Sequence, residues 1–531
     1  MEKDFANNEA MVDKAFAPDS DDSNASWEQV DREIDNTFCD SDTIMHIKIK
    51  GQTVEQEALM EVLESELNQY GDVNSDVDRE DVLAALRDVL FDNAALVVPM
   101  DLNAKDLVGE NAQAGDVFEL SEDVKYRLRT LTYEDGSSCM GVFTSLEEVQ
   151  KGFPTNTITM ESYSILERVL FSEHIENLVI NPFSHRFEVS KDDIVDLFVE
   201  LADGDTTAKI YFCEKKLHEA EEADAAFEPI NGNYEIAAKT VIGVDNPVYS
   251  ARRDDYKRLY ECYWNIYNQA LANGYNEIAV PNMGIVGGYP EDKARGIAIK
   301  ALCEWCDAHP FSGLRVMLIC GTEKRSEEYS NSYERFDEKG RKPIESSIDE
   351  DKLYKGLSYA MELYKDMVQP TNNHPYIVQA MAQMNDTRFM GFGTDMLLAA
   401  LLHDALEDGL TDVDTLVEKF GIGMARVANS QPKYDNMPWL SSKLKQVYNL
   451  RQIYDDRIKL LAMVKALDEL RCIYNDLKND HDLWSRMYVP KEYQAVYYKL
   501  LLDEMKDFEF HRDTERQYQE YAELLKKLFF V

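Results

Sequence analysis

Met396-Leu397-Leu398-Ala399-Ala400-Leu401-Leu402-His403-Asp404-Ala405-Leu406-Glu407-Asp408 is the stretch on which the reading of this chain turns. An unbroken apolar run from Met396 to Leu402 predicts a central buried helix. At its end come His403, Asp404, Glu407 and Asp408. His403 and Glu407 are four apart and share a helical face, with Asp404 and Asp408 beside them. Ionisable groups following a buried helix are costly unless something pairs with them. A divalent cation is the economical partner for such a set. A lone His-Asp pair more often caps a helix or pairs at a surface, so a second element is needed. It comes from Asp455–Leu470, an amphipathic stretch with Asp468 set among apolar neighbours, where a facing helix can supply another ligand.

Residues 350–531 read as nearly all helix. Four pieces carry a resemblance over about 350–475: Pro375-Tyr376-Ile377, the run Ala399–Asp408, Phe420-Gly421, and Lys465-Ala466-Leu467-Asp468. In order and spacing they resemble the HD superfamily, and specifically the RelA/SpoT-type hydrolase domain. That resemblance implies removal of the 3′-diphosphate from the alarmone (p)ppGpp with one Mn²⁺. By the same resemblance His403, Asp404 and Asp468 are metal ligands. Glu407 and Asp408 are the catalytic pair that orients or deprotonates the attacking water. The chain departs from the family pattern at three places. The first His ligand falls on Gln379, leaving an amide at that metal position. An Arg-Lys pair falls on Pro370-Thr371, and an Asn falls on Cys472. Two functions therefore stand side by side. One is a metal-dependent phosphohydrolase acting on a nucleotide, with (p)ppGpp the family substrate. The other is a non-catalytic nucleotide sensor or protein-interaction scaffold with a degenerate site.

Upstream, Glu277–Pro281 reads as a strand and Gly284-Ile285-Val286-Gly287-Gly288-Tyr289-Pro290 as a loop. A helix follows from Glu291 to about Cys306, then a strand from Leu314 to Cys320. Such a unit favours parallel pairing. A Gly-rich loop entering a helix N-terminus offers bare N–H groups to an anion, which makes Gly284, Gly287 and Gly288 candidate nucleotide-binding positions. Glycines in such turns also serve purely backbone needs. With the helical segment Tyr260–Ile266 before it, this arrangement resembles the second half of a macro domain, over about 240–320. The resemblance implies binding of ADP-ribose or a related nucleotide. The Asn-Ala-Ala-Asn segment and second glycine run of that family are absent from 200–250, and the loop is one residue longer.

Nearer the start, residues 46–92 look mostly helical, with Leu59, Leu63 and Leu67 spaced by four. Ala95–Pro99, Gly141–Ser145 and Leu178–Pro182 read as buried strands. Ser145 opens a helix with Glu147 and Glu148 in its first turn. These three segments resemble the SseB N-terminal domain family over about 90–200. That α/β module brings no catalytic residues and implies a role in docking a protein partner.

The expected architecture is a multidomain α+β chain. A disordered acidic tail covers 1–45, since its composition cannot bury enough surface to order it. An SseB-like α/β domain covers 46–204, a macro-like α/β domain 205–345 and an all-helical HD-type domain 346–531. Asp337–Pro343 is polar, carries Gly and Pro, and reads as a linker. The net charge of −44, from 100 acidic and 56 basic residues, repels nucleic-acid backbones and argues against a nucleic-acid partner. No run of about 20 apolar residues suggests a membrane span, and Met1-Glu2-Lys3-Asp4 lacks the features of a secretion signal. The eight cysteines show no disulfide spacing. Cys303-Glu304-Trp305-Cys306 falls in a helical pattern and reads as core. A cytoplasmic location is the expectation.

Overall fold

The computed structural model describes residues 46–48, 52–70, 75–101, 117–118, 127–132, 137–152, 155–214, 223–230, 238–340, 347–368, 374–434, 437–453, 455–479, 483–506 and 512–529. The acidic tail 1–45, Pro370 and Thr371 lie outside the described residues. The chain forms two compact units. The first comprises Met1–Asp203 with Tyr434–Lys445 and Met487–Val496; the second comprises Gly204–Lys433, Gln446–Arg486 and Tyr497–Val531.

In the first unit β1 (His46–Lys48), β2 (Ala95–Asp101), β3 (Val117–Phe118) and β4 (Arg127–Leu128) share a sheet with β7 (Asn156–Glu161). Its order is β3-β1-β7-β2-β4, with β1 parallel to β7 and β2 antiparallel to it. A second sheet runs β5-β6-β8-β9, formed by β5 (Leu131–Thr132), β6 (Ser138–Val142), β8 (Asn177–Ile180) and β9 (Phe187–Ser190). Leu96, Val97, Val98 and Met100 are all buried, as a strand covered on both faces requires.

The helices Val54–Tyr70 and Arg79–Phe91 bear out the helical reading of that region, but Met60 fills the core beside Leu63 and Leu67 while Leu59 is half-buried. The strand expected at Gly141–Ser145 lies earlier, because Ser145 caps the helix Leu146–Gln150 by accepting the Glu148 N–H. The strand expected to reach Pro182 stops at Ile180, since Asn181 turns the chain with φ of +47°.

Two C-terminal segments complete this unit. The buried Glu167 carboxylate accepts the Trp439 backbone N–H at the opening of the helix Trp439–Gln452, and the Tyr488 hydroxyl at 3.2 Å. Phe171 packs its ring against Trp439, Tyr488 and Tyr493. Sequence periodicity carries no trace of this docking.

The second unit holds a sheet of order β10-β14-β13-β11-β12, parallel at every pairing. Its strands are β10 (Lys209–Cys213), β11 (Ala225–Pro229), β12 (Thr240–Val244), β13 (Glu277–Pro281) and β14 (Arg315–Ile319). β13 and β14 are the two strands expected on either side of the helix Glu291–Ala308, and Ile278 pairs with Val316. Cys303 is buried in the core under this sheet, and both it and Cys306 are free thiols. The helix Glu323–Gly340 takes in Asp337–Gly340, so the first half of the expected linker is helical.

The helical remainder joins the same unit. Val413 and Val417 pack on the core of the parallel sheet. The Trp264 indole N–H donates to Asp414 at 2.6 Å, and the Asn268 amide to the other Asp414 oxygen at 2.6 Å. Arg426 pairs with Asp307 and, at 3.0 Å, with Asp455. No helix among the described residues is long and apolar enough to cross a membrane.

Candidate functional site

The helix Thr394–Glu407 is buried along nearly its whole length, from Met396 through Ala405. It packs against the helices Glu350–Leu363, Ile377–Phe389 and Asp456–Asn479. His403 and Asp404 are therefore buried, at 2% and 6% exposure, although they end an apolar run. Tyr364, fully buried on the first of these neighbours, reaches the motif directly. Its hydroxyl accepts the Ala405 N–H at 2.9 Å and donates to the Leu401 carbonyl at 3.1 Å. It thus bridges the rung of backbone that brackets His403 and Asp404.

The ring Nδ1 of His403 sits 3.1 Å from the Ala400 carbonyl. Its Nε2 is buried and lies 3.1 Å from Asp404 Oδ1, the carboxylate that faces it. Asp404 also takes a hydrogen bond from the Tyr376 side chain, and Lys465 Nζ lies 3.6 Å away. Burial works to raise its proton affinity, yet His403 and Lys465 outweigh burial and hold the carboxyl well below the usual range. Lys465 is itself buried and pairs with Glu407. Burial opposes its charge, but Glu407 and Asp404 overcome that and hold the ammonium protonated. Asp408 is exposed at the helix end; its proton affinity is raised by partial burial and then by Asp404 and Glu407.

Asp468 comes from the third helix. It is buried, and the Gln383 amide donates to it at 3.3 Å. Burial pushes its carboxyl up to about 6, against a lowering influence from Gln383 and Arg471. Arg471 is held in turn by Asp386 at 2.6 Å and Glu520 at 2.8 Å. Gln379, on the helix Ile377–Phe389, is half-buried and engaged by other groups. Cys472 follows Asp468 by one turn, with its thiol pushed up to about 12 by burial. The expected set therefore falls on three mutually packed helices. Among the described residues no three His, Cys, Asp or Glu side chains converge as a metal-binding group. Of the set, the buried His403 Nε2 and Asp404 Oδ1, 3.1 Å apart, are the two donors close enough to share a cation. Gln383, Tyr364 and Tyr376 were missed in the sequence. Tyr376 alone had a signal, as part of the Pro-Tyr-Ile piece.

The glycine loop departs from expectation. A one-turn helix, Met283–Val286, occupies its first half, with Asn282 capping Ile285. The N–H groups from Ile285 to Tyr289 are all bonded inside the loop, so they are not the bare donors expected. Gly284 sits where a Cβ would lie 2.5 Å from Ala294, and at Gly287 one would lie 2.3 Å from the Pro247 carbonyl. Only Gly288, with φ of +74°, has open space where its side chain would be. Tyr249 donates its N–H to the Gly287 carbonyl at 2.8 Å, tying the strap Asp245–Ser250 over the loop.

Comparison with known proteins matches three stretches of the chain. Residues 63–195 match the SseB protein N-terminal domain, 213–298 the Macro domain and 356–500 the HD domain. A guanosine-3′,5′-bis(diphosphate) 3′-pyrophosphohydrolase of Haemophilus influenzae is 25% identical over 171 residues, 30% of this chain and 24% of that protein. The enzyme of the same name from Aquifex aeolicus is 22% identical over 190 residues, 33% of this chain and 26% of that protein. An O-acetyl-ADP-ribose deacetylase of Citrobacter rodentium is 31% identical over 96 residues, 18% of this chain and 54% of that protein. The chain thus spans about a quarter of the two hydrolases and about half of the deacetylase. Among solved structures, a Listeria monocytogenes EGD-e protein is 23% identical with a TM-score of 0.27, covering 28% of this chain and 98% of its own. A metazoan ortholog of SpoT that hydrolyses ppGpp is 20% identical with a TM-score of 0.28, covering 33% of this chain and 96% of its own. By region the chain is thus similar to the SseB protein N-terminal domain, the Macro domain and the HD domain.

Proposed function

We propose that the HD region is a metal-dependent phosphohydrolase acting on a nucleotide, with (p)ppGpp and its 3′-diphosphate the first substrate to test. The observation that carries this reading is the buried juxtaposition of His403 Nε2 and an ionised Asp404, 3.1 Å apart. His403, Asp404 and Asp468 are the proposed ligands, with Gln379 or water in the remaining place. One imidazole with carboxylates is a hard donor set and suits Mn²⁺. Such an ion, when bound, neutralises phosphate charge and acidifies water. The chain's own part is proton handling and positioning. Asp408, exposed and with raised proton affinity, is the better placed of the two acids to take a proton. Glu407, fixed by Lys465, orients the water. The domain limits 46–204, 205–345 and 346–531 belong to the same proposal. So do a nucleotide at Gly288 of the macro part, a protein partner for the SseB part and a cytoplasmic site of action.

The test is Mn²⁺-supplemented hydrolysis of ppGpp and a nucleotide panel by the purified chain. Asp404→Ala should lose both metal and activity. Asp408→Ala should keep metal and lose roughly 10²–10⁴ in rate, and Glu407→Ala should keep metal and lose activity. A second reading, a nucleotide sensor or scaffold, is favoured by Lys465, whose ammonium already neutralises Asp404 and Glu407. Wild type that binds no Mn²⁺, with Gln379→His restoring none, would decide for that reading.

A further inference from the structure

One continuous helix, Lys491–Glu504, belongs to both compact units: its residues up to Val496 count with the first, and those from Tyr497 onward with the second. In the first unit Tyr493, buried on that helix, packs its ring 5.0 Å from Phe171, the last residue of the helix Ser162–Phe171. Phe171 also packs against Trp439 and Tyr488, and the buried Glu167 carboxylate, one turn before it, accepts from both. This clamp has two states and little between them. Drawn away from the Trp439 N–H and the Tyr488 hydroxyl, Glu167 would be a buried, unpaired charge, so it is either paired there or out in water. Tyr488 is 64% exposed, so water reaches the edge of the clamp. In the second unit Tyr497 sits one turn past Tyr493, on the same helical face. Glu469, Lys465 and Glu407 all act on its hydroxyl. Tyr498 beside it donates to Glu469 at 3.0 Å. Glu469 helps keep the Lys465 ammonium charged. Lys465 in turn pairs with Glu407 and lies 3.6 Å from Asp404.

We propose that the first unit regulates the HD site through this helix: opening or closing the clamp of Phe171 and Glu167 shifts Tyr497 and Tyr498 against Glu469, and with it the Lys465 ammonium that holds Glu407 and Asp404. The inference deepens the phosphohydrolase reading, on which its consequence for turnover rests, by naming what controls that site. The path is short. It runs from Phe171 to Tyr493 by ring contact, along one helical turn to Tyr497 and Tyr498, and by a hydrogen bond to the helix Asp456–Asn479 that carries Lys465 and Asp468. A partner seated on the α/β part of the first unit thereby has a route to the site. Coupling of this kind is reciprocal, so a ligand that orders the HD site also steadies 487–496.

The experiment is hydrogen exchange on the full chain, read by mass spectrometry over 487–496 and 463–470, with hydrolysis of ppGpp and a nucleotide panel assayed beside it. Phe171→Ala should speed exchange in both segments by about fivefold or more. The milder Phe171→Leu should do the same to a smaller degree, and circular dichroism shows that each variant is folded. Leu63→Ala opens a cavity on a different helix of the same unit and should leave 463–470 as in wild type. Tyr498→Phe cuts the hydrogen bond to Glu469. Adding Phe171→Ala to it should change 463–470 by no more than about twofold, while 487–496 still exchanges fast. A folded Phe171→Ala or Phe171→Leu chain with 463–470 unchanged overturns the inference. So does Leu63→Ala speeding 463–470 equally, or Phe171→Ala keeping its full effect in the Tyr498→Phe chain. None of these results touches the phosphohydrolase reading. Wild type that hydrolyses no nucleotide ends that reading, and the exchange rates still decide the coupling.

Discussion

Tyr364 places a phenol oxygen between two backbone groups that a regular helix would bond to each other. Tyr364→Phe leaves the Leu401 carbonyl and the Ala405 N–H buried without it. The expected cost is about 1–3 kcal/mol, read by urea unfolding, together with weaker Mn²⁺ binding because the backbone beneath His403 and Asp404 shifts. Unchanged stability would mean that the helix closes its own rung and that Tyr364 is only packing. A second residue-scale expectation concerns Asp255, fully buried at the start of the helix Asp255–Ala272. Burial acts to raise its proton affinity, but N–H bonds from Ser250 at 2.8 Å and Arg252 at 2.9 Å, with the Ser250 hydroxyl and Arg258, bring it down to about 2. The folded value lies below the unfolded one. Ionised Asp255 therefore contributes stability in full above about pH 4 and loses it as pH falls toward the folded value. Asp255→Asn should melt below wild type at pH 7, with the gap narrowing below about pH 4. A gap independent of pH would rule that account out.

At the scale of elements, the two strands and the helix of 277–320 were legible because each has a strong pattern, whereas the loop between them hid the one-turn helix Met283–Val286. The apolar run 396–402 was legible for the same reason, and it lies in the buried helix Thr394–Glu407. What stayed hidden was decided by distant chain. Pro247 fills the space beside Gly287, and Ala294 that beside Gly284. A Glu at 287 would therefore strike the Pro247 backbone before meeting any phosphate, so it tests packing and not ligand binding. Gly284→Ala is expected to cost about 1–3 kcal/mol by overpacking. Gly288→Ala should cost about 1–2 kcal/mol from its left-handed backbone alone. Chemical denaturation of the two variants separates these causes, since only the first has a neighbour to displace. Gln383 and Tyr364 were unreadable as neighbours of the motif for a similar reason. Nothing in their own segments tells which polar side chain of an amphipathic helix turns inward.

Over the whole molecule, three family regions make two compact units. The macro part and the HD part outside 434–445 and 487–496 share one of them through Trp264, Asn268, Asp307, Asp414, Val417 and Arg426. A calorimetric scan should show 213–298 and 356–500 melting in one transition, and Asp414→Ala should lower it as a whole. Cleavage within the polar segment 341–346 should leave fragments that co-elute on gel filtration at neutral pH. Fragments that separate, or a distinct early transition for the HD part, would show that the shared core is too weak to couple them.

That shared core has a consequence for descent. A gene fragment that begins after the macro part would inherit the HD motif but leave Val413 and Val417 without their cover. Shuffling at that junction is therefore penalised in this chain. Drift at one side must be answered at the other. Among homologous chains, positions 264 and 414 should change in concert, as should 307 and 426, even though each pair is more than a hundred residues apart in sequence.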